Sequence, residues 1–288
     1  MENPTKTGMF YEHGKKEWWV NGKLHRTDGP AVHVEDEEVT DFFGELDTII
    51  HLREEWWVNG ERHRTDGPAV HVEYYKDKEL DKIGNIRKEW WANGKKHRDD
   101  DLPAVIDDYK KEWYKNGKKH RDDDQPAVID KHKKEWWVNG VLHRDNDLPA
   151  IVDSDGTEIW YKDGKKHRDN DLPAIVDSDG TEKWYKDGKK HRDNDLPAVI
   201  YGRFSTFNRE EWWLNGERHR EKGPAIIDHD TGWMYYKNGK LHCLDGPAFI
   251  DCGDYSDTFN EGDKYYINGV KYNYDDYKKE RDKILGSV

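Results

Sequence analysis

The feature that most constrains this chain is a turn dipeptide, Asn-Gly or Asp-Gly, that returns at nearly regular intervals. The ten copies begin at Asn21, Asn59, Asn93, Asn116, Asn139, Asp163, Asp187, Asn215, Asn238 and Asn268. The commonest intervals between successive copies are 23 and 24 residues. A period of this length is too short for a pair of helices and suits a unit of two short strands. The chain is therefore predicted to be a repeat protein.

Each repeat contains two strand-like runs. One is Pro-Ala followed by β-branched residues, as from Pro149 to Asp153, and the other is aromatic, as from Glu135 to Val138. Asp-Gly or Asn-Gly beside such runs is a hairpin signal, because both residues accept a positive φ. The predicted fold class is all-β: an elongated meander of stacked β-hairpins, built as a single-layer sheet or an open solenoid.

Four stretches make some repeats longer than the others. They are residues 35–54, 73–88, 201–210 and 251–263, and all four fall between the Pro-Ala strand and the aromatic strand. Insertions at one place in a repeat emerge on one edge of the assembly. We therefore expect all four to lengthen the same hairpin tip.

Two adjacent aromatic positions precede each turn dipeptide, and adjacent residues of a strand point to opposite faces. The first aromatic row consists of Trp18, Trp56, Trp90, Trp113, Trp136, Trp160, Trp184, Trp212, Tyr235 and Tyr265. The second aromatic row consists of Trp19, Trp57, Trp91, Tyr114, Trp137, Tyr161, Tyr185, Trp213, Tyr236 and Tyr266. The first row is predicted to be a buried structural ladder beside the Ala that follows each Pro. The second row, which mixes Trp and Tyr, is predicted to be partly exposed.

The two aromatic rows resolve a conflict in the composition. Hydrophobic residues make up only 33% of the 288 residues and charged residues 38%, a balance that suggests disorder. The 14 tryptophans argue against disorder, because each one buries far more surface than an aliphatic side chain. The core is therefore expected to be aromatic where other proteins use aliphatic residues.

The loop between the turn dipeptide and the Pro has two lengths. It is one residue shorter in the repeats that carry Gly before the Pro, at Gly29, Gly67, Gly223 and Gly246. Because Gly adopts left-handed conformations freely, we expect it to supply the positive φ of a tight loop. These are called short-loop repeats below, and those with a residue such as Leu148 before the Pro are called long-loop repeats.

The pattern Trp-Tyr-x-Asn-Gly-Lys-x-His with its following loop resembles the MORN (membrane occupation and recognition nexus) repeat from roughly Lys16 to Tyr272. The variant His-Arg-x-Asp-Gly-Pro-Ala, as at His25 to Ala31, departs from that family at Arg and is similar to a subgroup in uncharacterised proteins of large DNA viruses and phages. The resemblance implies a lead-in segment at 1–16, about nine repeats and a degenerate tenth over 17–272, and a short C-terminal helical cap at 273–288. It also implies that the array is an interaction platform.

Nine repeats carry a histidine at a fixed place. They are His25, His63, His97, His120, His143, His167, His191, His219 and His242. Two strands per repeat separate successive histidines by about 9.6 Å, which is too far for two of them to share a zinc ion. The predicted role is structural, with the imidazole fixing a turn by a hydrogen bond. Neither a metal site nor a cofactor is expected.

Arginine follows this histidine in eight repeats, and acidic residues follow the arginine. Stacked repeats would form a basic stripe beside an acidic stripe, and the two stripes either neutralise each other or leave the basic one to bind a partner. The candidate binding surface combines the second aromatic row from Trp19 to Trp213 with the arginines of this stripe. Those arginines are Arg98, Arg121, Arg144, Arg168 and Arg192.

The sequence contains no nucleophile–base pair, Gly-rich phosphate loop or metal-ligand spacing, so an enzyme is not expected. A net charge of −13 disfavours a general nucleic-acid binder, and no stretch approaches the ~18 apolar residues of a membrane span. The expected function is a non-enzymatic scaffold for protein–protein interaction, self-association included. A cytoplasmic, non-secreted protein is expected, because residues 1–6 lack the apolar core of a signal peptide and two cysteines cannot form a disulfide framework. The resemblance implies a viral structural or host-interaction component, in the host cytoplasm or the virion. The alternative is a ligand- or nucleic-acid-binding module that uses the basic and aromatic stripes.

Overall fold

The computed structural model describes residues 6–42, 45–76, 86–206, 208–251 and 263–286, with no account of the side chains of 40–42, 45–48 and 75–76. Two compact units divide the chain, residues 1–141 and 142–288. In the described residues the secondary structure is antiparallel β-strand, with one α-helix at Tyr274–Leu285. No helix among them is both long enough and apolar enough to cross a membrane.

The strands are short. Those of the first unit are Gly8–Glu12, Lys15–Val20, Lys23–Leu24, Val32–Phe42, Glu45–Glu55, Trp57–Val58, Glu61–Arg62, Val70–Lys76, Arg87–Glu89, Trp91–Ala92, Lys95–Lys96, Val105–Ile106, Lys110–Glu112, Tyr114–Lys115, Lys118–Lys119, Val128–Asp130, Lys133–Glu135 and Trp137–Val138. The strand Val141–Leu142 contains the boundary between the units. Those of the second unit are Ile151–Asp153, Glu158–Ile159, Tyr161–Lys162, Lys165–Lys166, Ile175–Val176, Glu182–Lys183, Tyr185–Lys186, Lys189–Lys190, Val199–Ile200, Arg209–Glu211, Trp213–Leu214, Glu217–Arg218, Ile226–Asp228, Gly232–Met234, Tyr236–Lys237, Lys240–Leu241, Phe249–Asp251, Tyr265–Ile267 and Val270–Tyr272.

Within a repeat the chain makes two kinds of strand pair. Lys110–Glu112 lies in the main sheet between Val105–Ile106 and Val128–Asp130, antiparallel to both. The next strand, Tyr114–Lys115, leaves the main sheet and pairs with Lys118–Lys119 as a two-stranded tip hairpin. Main-sheet strands follow one another in chain order within each unit, which confirms the predicted all-β meander of hairpins.

The turn dipeptide closes each tip hairpin. Asn116 has a φ of 52° and Gly117 a φ of 83°, and both residues of all ten dipeptides have positive φ. Two consecutive positive φ values define a type I′ turn, whose twist matches that of the flanking strands. Asn or Asp followed by Gly is the residue pair that adopts this turn most easily, which explains its recurrence.

The first-row aromatic lies where the chain leaves the main sheet. The N–H of Trp113 donates to the carbonyl of Ala127 (2.8 Å), and its own carbonyl accepts from the N–H of His120 (3.2 Å). Trp160 and Trp184 make the same pair of bonds. Both backbone groups of the residue are therefore satisfied although it belongs to neither strand.

Small and β-branched residues fill the space beside these aromatics. The Ala after each Pro is fully buried in all nine repeats that have it. The residue after the Ala is almost as buried, as at Val105, Val128, Val199 and Ile226, which are each at most 1% exposed. The expectation of an aromatic core is therefore incomplete, because in seven of the nine repeats an aliphatic side chain is also buried with the Ala, the exceptions being the half-buried Ile151 and Phe249.

The short loops reach the expected positive φ at only one of their four glycines, Gly223, whose φ is 141°. Gly29 and Gly67 do not have positive φ values. A Cβ atom on Gly67 would instead lie 2.9 Å from the guanidinium carbon of Arg64. A larger residue there would therefore displace the arginine that packs against the glycine. The left-handed residues lie in the long loops, where Asp100 and Asp101 have φ values of 59° and 52°.

The expected insertions lie between main-sheet strands where they are described. Residues 35–42 and 45–54 extend the hairpin Val32–Phe42/Glu45–Glu55, with Glu35 opposite Leu52, and residues 43 and 44 lie outside the described residues. Part of the insertion at 73–88 extends the strand Val70–Lys76, and residues 77–85 lie outside the described residues. Of the insertion at 251–263, residues 252–262 lie outside the described residues. Of the insertion at 201–210, only Phe207 does.

The C-terminal end carries the expected helical cap. Asn273 begins the helix Tyr274–Leu285, and its side chain accepts from the N–H of Asp276 at 2.9 Å. Tyr277 is 1% exposed, its ring lies 4.9 Å from that of Tyr265, and its hydroxyl accepts from the N–H of Gly246 (3.0 Å). The helix therefore covers the first-row aromatic of the last repeat.

Candidate functional site

The first aromatic row is buried to two different degrees. Trp113, Trp136, Trp160, Trp184 and Trp212 are 5–8% exposed, whereas Trp18, Trp56, Trp90, Tyr235 and Tyr265 are half-buried. The difference follows the loop of the preceding repeat. A long loop places a main-chain carbonyl on the indole N–H of the next repeat, as from Trp113 Nε1 to the Asp101 oxygen at 3.0 Å. A short loop makes no such bond to Trp56 or Trp90 among the described residues.

The arginine stripe lies on the first aromatic row. In seven repeats the guanidinium carbon is 3.7–4.1 Å from the centre of the first-row ring of its own repeat. This is a close cation–π contact. The pairs are Arg26–Trp18, Arg64–Trp56, Arg98–Trp90, Arg121–Trp113, Arg168–Trp160, Arg192–Trp184 and Arg220–Trp212. Each of these arginines also donates through Nη1 to the carbonyl of the Pro in its repeat, and Arg144 makes the same bond to Pro149.

Most of these arginines also bind a carboxylate. Arg121 holds both carboxylate oxygens of Asp101 of the preceding repeat, at 2.8 and 2.7 Å. Arg168 holds Asp147 in the same way. The guanidinium beside Asp101 lowers the pKa of that carboxyl from its ordinary value. In these repeats the basic and acidic stripes therefore neutralise each other, as one of the two interpretations expected.

The arginine stripe and the second aromatic row, which the expected binding surface combined, line common clefts in the second unit. Arg192 and Trp213 line one of them, and Arg168, Arg192 and Tyr185 line another. The guanidinium groups stack on the first row, as Arg192 does on Trp184 at 3.8 Å, while the main-chain N–H of Arg192 donates to the carbonyl of Trp213 at 3.3 Å. The second row is half-buried throughout. Its neighbouring cations are in the tip hairpins, as where Arg62 lies 5.1 Å from the Trp57 ring and 5.2 Å from the Trp91 ring.

A buried glutamate supports the second row. Glu211, which is 3% exposed, accepts from Trp213 Nε1 at 2.8 Å and pairs with Arg209 at 2.7 Å. Glu17, Glu55, Glu89, Glu112, Glu135 and Glu211 each stand two residues before a second-row aromatic. Of these, all but the half-buried Glu17 are buried. We call these six residues the glutamate ladder. The sequence reasoning missed it, although its signal is simple: Glu immediately precedes a first-row Trp in six repeats.

Neighbouring cations lower the pKa of several of these glutamates and so favour their ionised form. Burial acts to raise the pKa of Glu55, but hydrogen bonding by Arg53 and the charge of Arg62 outweigh it, so the pKa is lowered. Glu89 is lowered by Arg87 and Lys96 in the same way. Burial and the charge of Glu112 raise the pKa of the Tyr114 hydroxyl. Ionised carboxylates therefore line the second-row face.

The histidines join successive repeats. His97 Nδ1 accepts from the main-chain N–H of Asn116, the turn asparagine of the next repeat, at 3.1 Å. Its Nε2 lies 3.0 Å from an oxygen of Asp99. Since Nδ1 accepts, the proton of the neutral ring is on Nε2, where it donates to the aspartate. The same acceptor bond is made by His63, His120, His167 and His191, so this is a structural row.

A cleft of about 970 Å³ opens on the second-row face of the first unit. Its lining includes Trp57, Tyr74 and Tyr109, and Tyr109 is 62% exposed. Arg53 and Glu55 also line it and are bonded to each other at 2.7 Å. The cleft thus combines aromatic surface with paired charges.

Three leucines form a row on the second unit that the sequence reasoning missed. Leu148, Leu172 and Leu196 are 37%, 38% and 39% exposed and occupy the same position in the loop Asp-Asn-Asp-Leu-Pro of successive repeats. Each leucine N–H donates to the aspartate carbonyl three residues earlier at 3.3 Å. We call these three side chains the leucine row.

In the described part of the chain no group of three or more His, Cys, Asp or Glu side chains is arranged to hold a metal ion. Comparison with protein-family models finds no family that matches this chain, and comparison with curated proteins finds no match either.

Proposed function

We propose that the protein is a non-enzymatic repeat scaffold that binds another protein, and that the leucine row is a contact surface of its second unit. The observation that carries this proposal is the exposure of three identical apolar side chains at one place in three successive repeats. Single exposed apolar residues are common on protein surfaces, but aligned ones are typical of interaction sites.

The fold does not require leucine at this position. Gln125 occupies the same place in the first unit, is exposed, and donates its main-chain N–H to Asp122 at 3.2 Å, as the leucines do to their own aspartates. The side chain is therefore not needed to form the loop. Leucine repeated in three consecutive loops thus fits a role outside the fold.

The spacing of the row suggests the form of the partner. Two main-sheet strands per repeat separate successive leucines by about 9.6 Å. Residues seven apart on an α-helix are separated by about 10.5 Å along its axis. We propose that the partner presents an amphipathic helix whose apolar residues recur every seven positions. The viral structural or host-interaction role implied by the MORN-like pattern belongs to this proposal.

Replacing all three leucines with glutamine is expected to abolish capture of this partner from an extract of the cells that make the protein. Stability should change by less than about 0.5 kcal/mol per site, because the substitutions are exposed and Gln125 already fits the loop. The measurement is affinity capture with mass spectrometry, alongside urea unfolding. The control replaces Lys165 and Lys189, exposed residues of the tip hairpins, with glutamine.

The control variant should retain every partner that the unchanged protein captures. A partner set that is identical for the triple leucine variant would contradict the proposal. Once a partner is identified, a peptide covering its heptad-patterned segment should compete for binding, and failure of that peptide would overturn the helical form of the partner.

The alternative, a ligand- or nucleic-acid-binding module, has one supporting observation, the cleft with Trp57, Tyr74 and Tyr109 on its lining. Aromatic faces of this kind stack on bases. The arginines of the basic stripe support it less, since most are occupied within the fold. Binding of a single-stranded DNA probe that weakens steeply with added salt would favour this alternative.

A further inference from the structure

One aspartate in each long loop serves two side chains of the next repeat. The carboxylate of Asp101 binds Nε and Nη2 of Arg121, while its main-chain carbonyl accepts from Trp113 Nε1. Asp171 does the same for Arg192 and Trp184. A single residue in the preceding loop thus satisfies both the stacked arginine and the tryptophan beneath it.

In the short-loop repeats at the start of the chain, the stacked arginine binds a carboxylate of its own loop instead. Arg26 turns to Asp28 of its own loop at 2.8 Å, and Arg64 turns to Asp66 at 2.7 Å. Neither arginine depends on the repeat before it.

Arg98 has neither solution, because its own loop is long and the loop before it is short. Its guanidinium stacks on Trp90 at 3.7 Å and donates Nη1 to the Pro103 carbonyl at 3.1 Å. In the part of the chain that the structure describes, it contacts no carboxylate, and Trp90 Nε1 has no acceptor. Burial lowers the pKa of Arg98, with no opposing charge to raise it. Both side chains are half-buried and reach the surface.

We infer that Arg98 and Trp90 form a binding site for an acidic peptide segment of a partner, whose aspartate takes the place beside Arg98 that Asp101 takes beside Arg121. The site offers two guanidinium donors of Arg98 and the indole donor of Trp90. In the following repeats one aspartate residue accepts from the equivalent three donors. A carboxylate alone satisfies only the arginine, whereas a residue within a peptide supplies the main-chain carbonyl as well. This site lies in the first unit and does not depend on the leucine row.

The chain itself supplies the probe. Asn170-Asp171-Leu172-Pro173 fills the equivalent place in the second unit, so the test uses a peptide of that sequence with both ends blocked. The readout is the NMR resonance of the Trp90 indole N–H, assigned with Trp90→Phe. The peptide is expected to shift this resonance in a saturable way. A peptide with Asn in place of the Asp should bind at least about tenfold more weakly.

Three variants complete the test. Arg98→Gln should weaken binding at least about tenfold, whereas Lys95→Gln, which removes an exposed cation of the same repeat, should leave binding unchanged. Replacing Thr65-Asp66-Gly67-Pro68 with Asp-Asn-Asp-Leu-Pro should abolish the peptide-induced shift of the Trp90 resonance, because the chain then provides the missing aspartate. The same exchange removes Asp66 from Arg64, so the peptide should now shift the indole resonance of Trp56 instead.

The inference is overturned if no shift appears at about 10 mM peptide, a concentration that populates even a millimolar complex. It is overturned equally if the Asn peptide or the Arg98→Gln protein binds as well as the original pair. Loss of the leucine-row partner in the separate capture experiment leaves this result unaffected.

Discussion

Replacing Trp184 with alanine is expected to lower the free energy of unfolding by about 3–5 kcal/mol, the usual cost of removing a large buried aromatic side chain. Trp184 is 5% exposed, donates its indole N–H to Asp171 at 2.9 Å and lies under the guanidinium of Arg192 at 3.8 Å. The substitution therefore removes an apolar contact, a hydrogen bond and a cation–π contact together. Urea unfolding followed by circular dichroism measures the change.

The control is the adjacent residue on the opposite face. Tyr185 is half-buried, and its nearest cation, Lys166, lies 5.4 Å from the ring centre. Tyr185→Ala should cost no more than about 2 kcal/mol, because the ring is already partly in contact with water. Equal losses for the two variants would refute the assignment of a buried and a half-buried aromatic row.

Removing the buried carboxylate of Glu211 is expected to cost about 3 kcal/mol, because Glu211→Ala leaves two cations without their counter-charge. Arg209 lies 2.7 Å and Arg218 3.7 Å from its oxygens. Their side chains are 20% and 33% exposed, which places the cost at the lower end of the range for a broken buried pair. Trp213 also loses the acceptor of its indole N–H.

Glu210→Ala provides the comparison for this second prediction. Glu210 is the next residue along the same strand and is half-buried on the opposite face. Its removal should cost less than about 1 kcal/mol. The same urea measurement tests both variants, and a Glu211→Ala protein as stable as the unchanged one would show that the buried glutamate ladder contributes nothing.

The sequence was sufficient for the β-hairpin meander because its strongest signal is local. Asn-Gly and Asp-Gly determine a turn type through their own backbone preferences, and alternation then assigns the two aromatic rows to opposite faces. The helical cap after Tyr272 was expected from the resemblance to the MORN-like pattern, and the structure places the N-cap of its helix at Asn273. These features depend on residues close together in the chain.

The contacts of the candidate site were harder to predict from the sequence, because each arginine bonds to residues of a neighbouring repeat. Whether Arg121 is free depends on the position of Asp101, about one repeat away, and that position depends on the left-handed conformation of the loop. The role expected of Gly67 was wrong for the same reason, since its need for a small side chain arises from the packing of Arg64. Periodicity alone does not reveal such contacts.

Comparing the repeats with one another, position by position, reveals both the leucine row and Arg98. Arg98 is a departure from an otherwise regular pattern, since a short loop precedes a long one only there among the arginine-bearing repeats. Leucine is the usual residue of the long loops, at Leu102 as well, and Gln125 alone replaces it, which shows that the loop does not need it. In a repeat protein, residues common to all repeats are explained by the fold. The departures are therefore the better candidates for function.

The central claim is that the regular arginines hold one repeat to the next, and a double-mutant cycle between Arg192 and Asp171 tests it most directly. Their hydrogen bonds measure 3.1, 3.2 and 3.0 Å. Arg192→Gln, Asp171→Asn and the double variant should give a coupling energy of about 0.5–1 kcal/mol in urea unfolding, reduced by added salt. The matched cycle of Arg192 with Asp193, which binds His191 and Lys186, should show no coupling. A coupling for Arg192 and Asp171 that is also indistinguishable from zero would contradict the account, because the arginine would then be a solvated ion available to a partner.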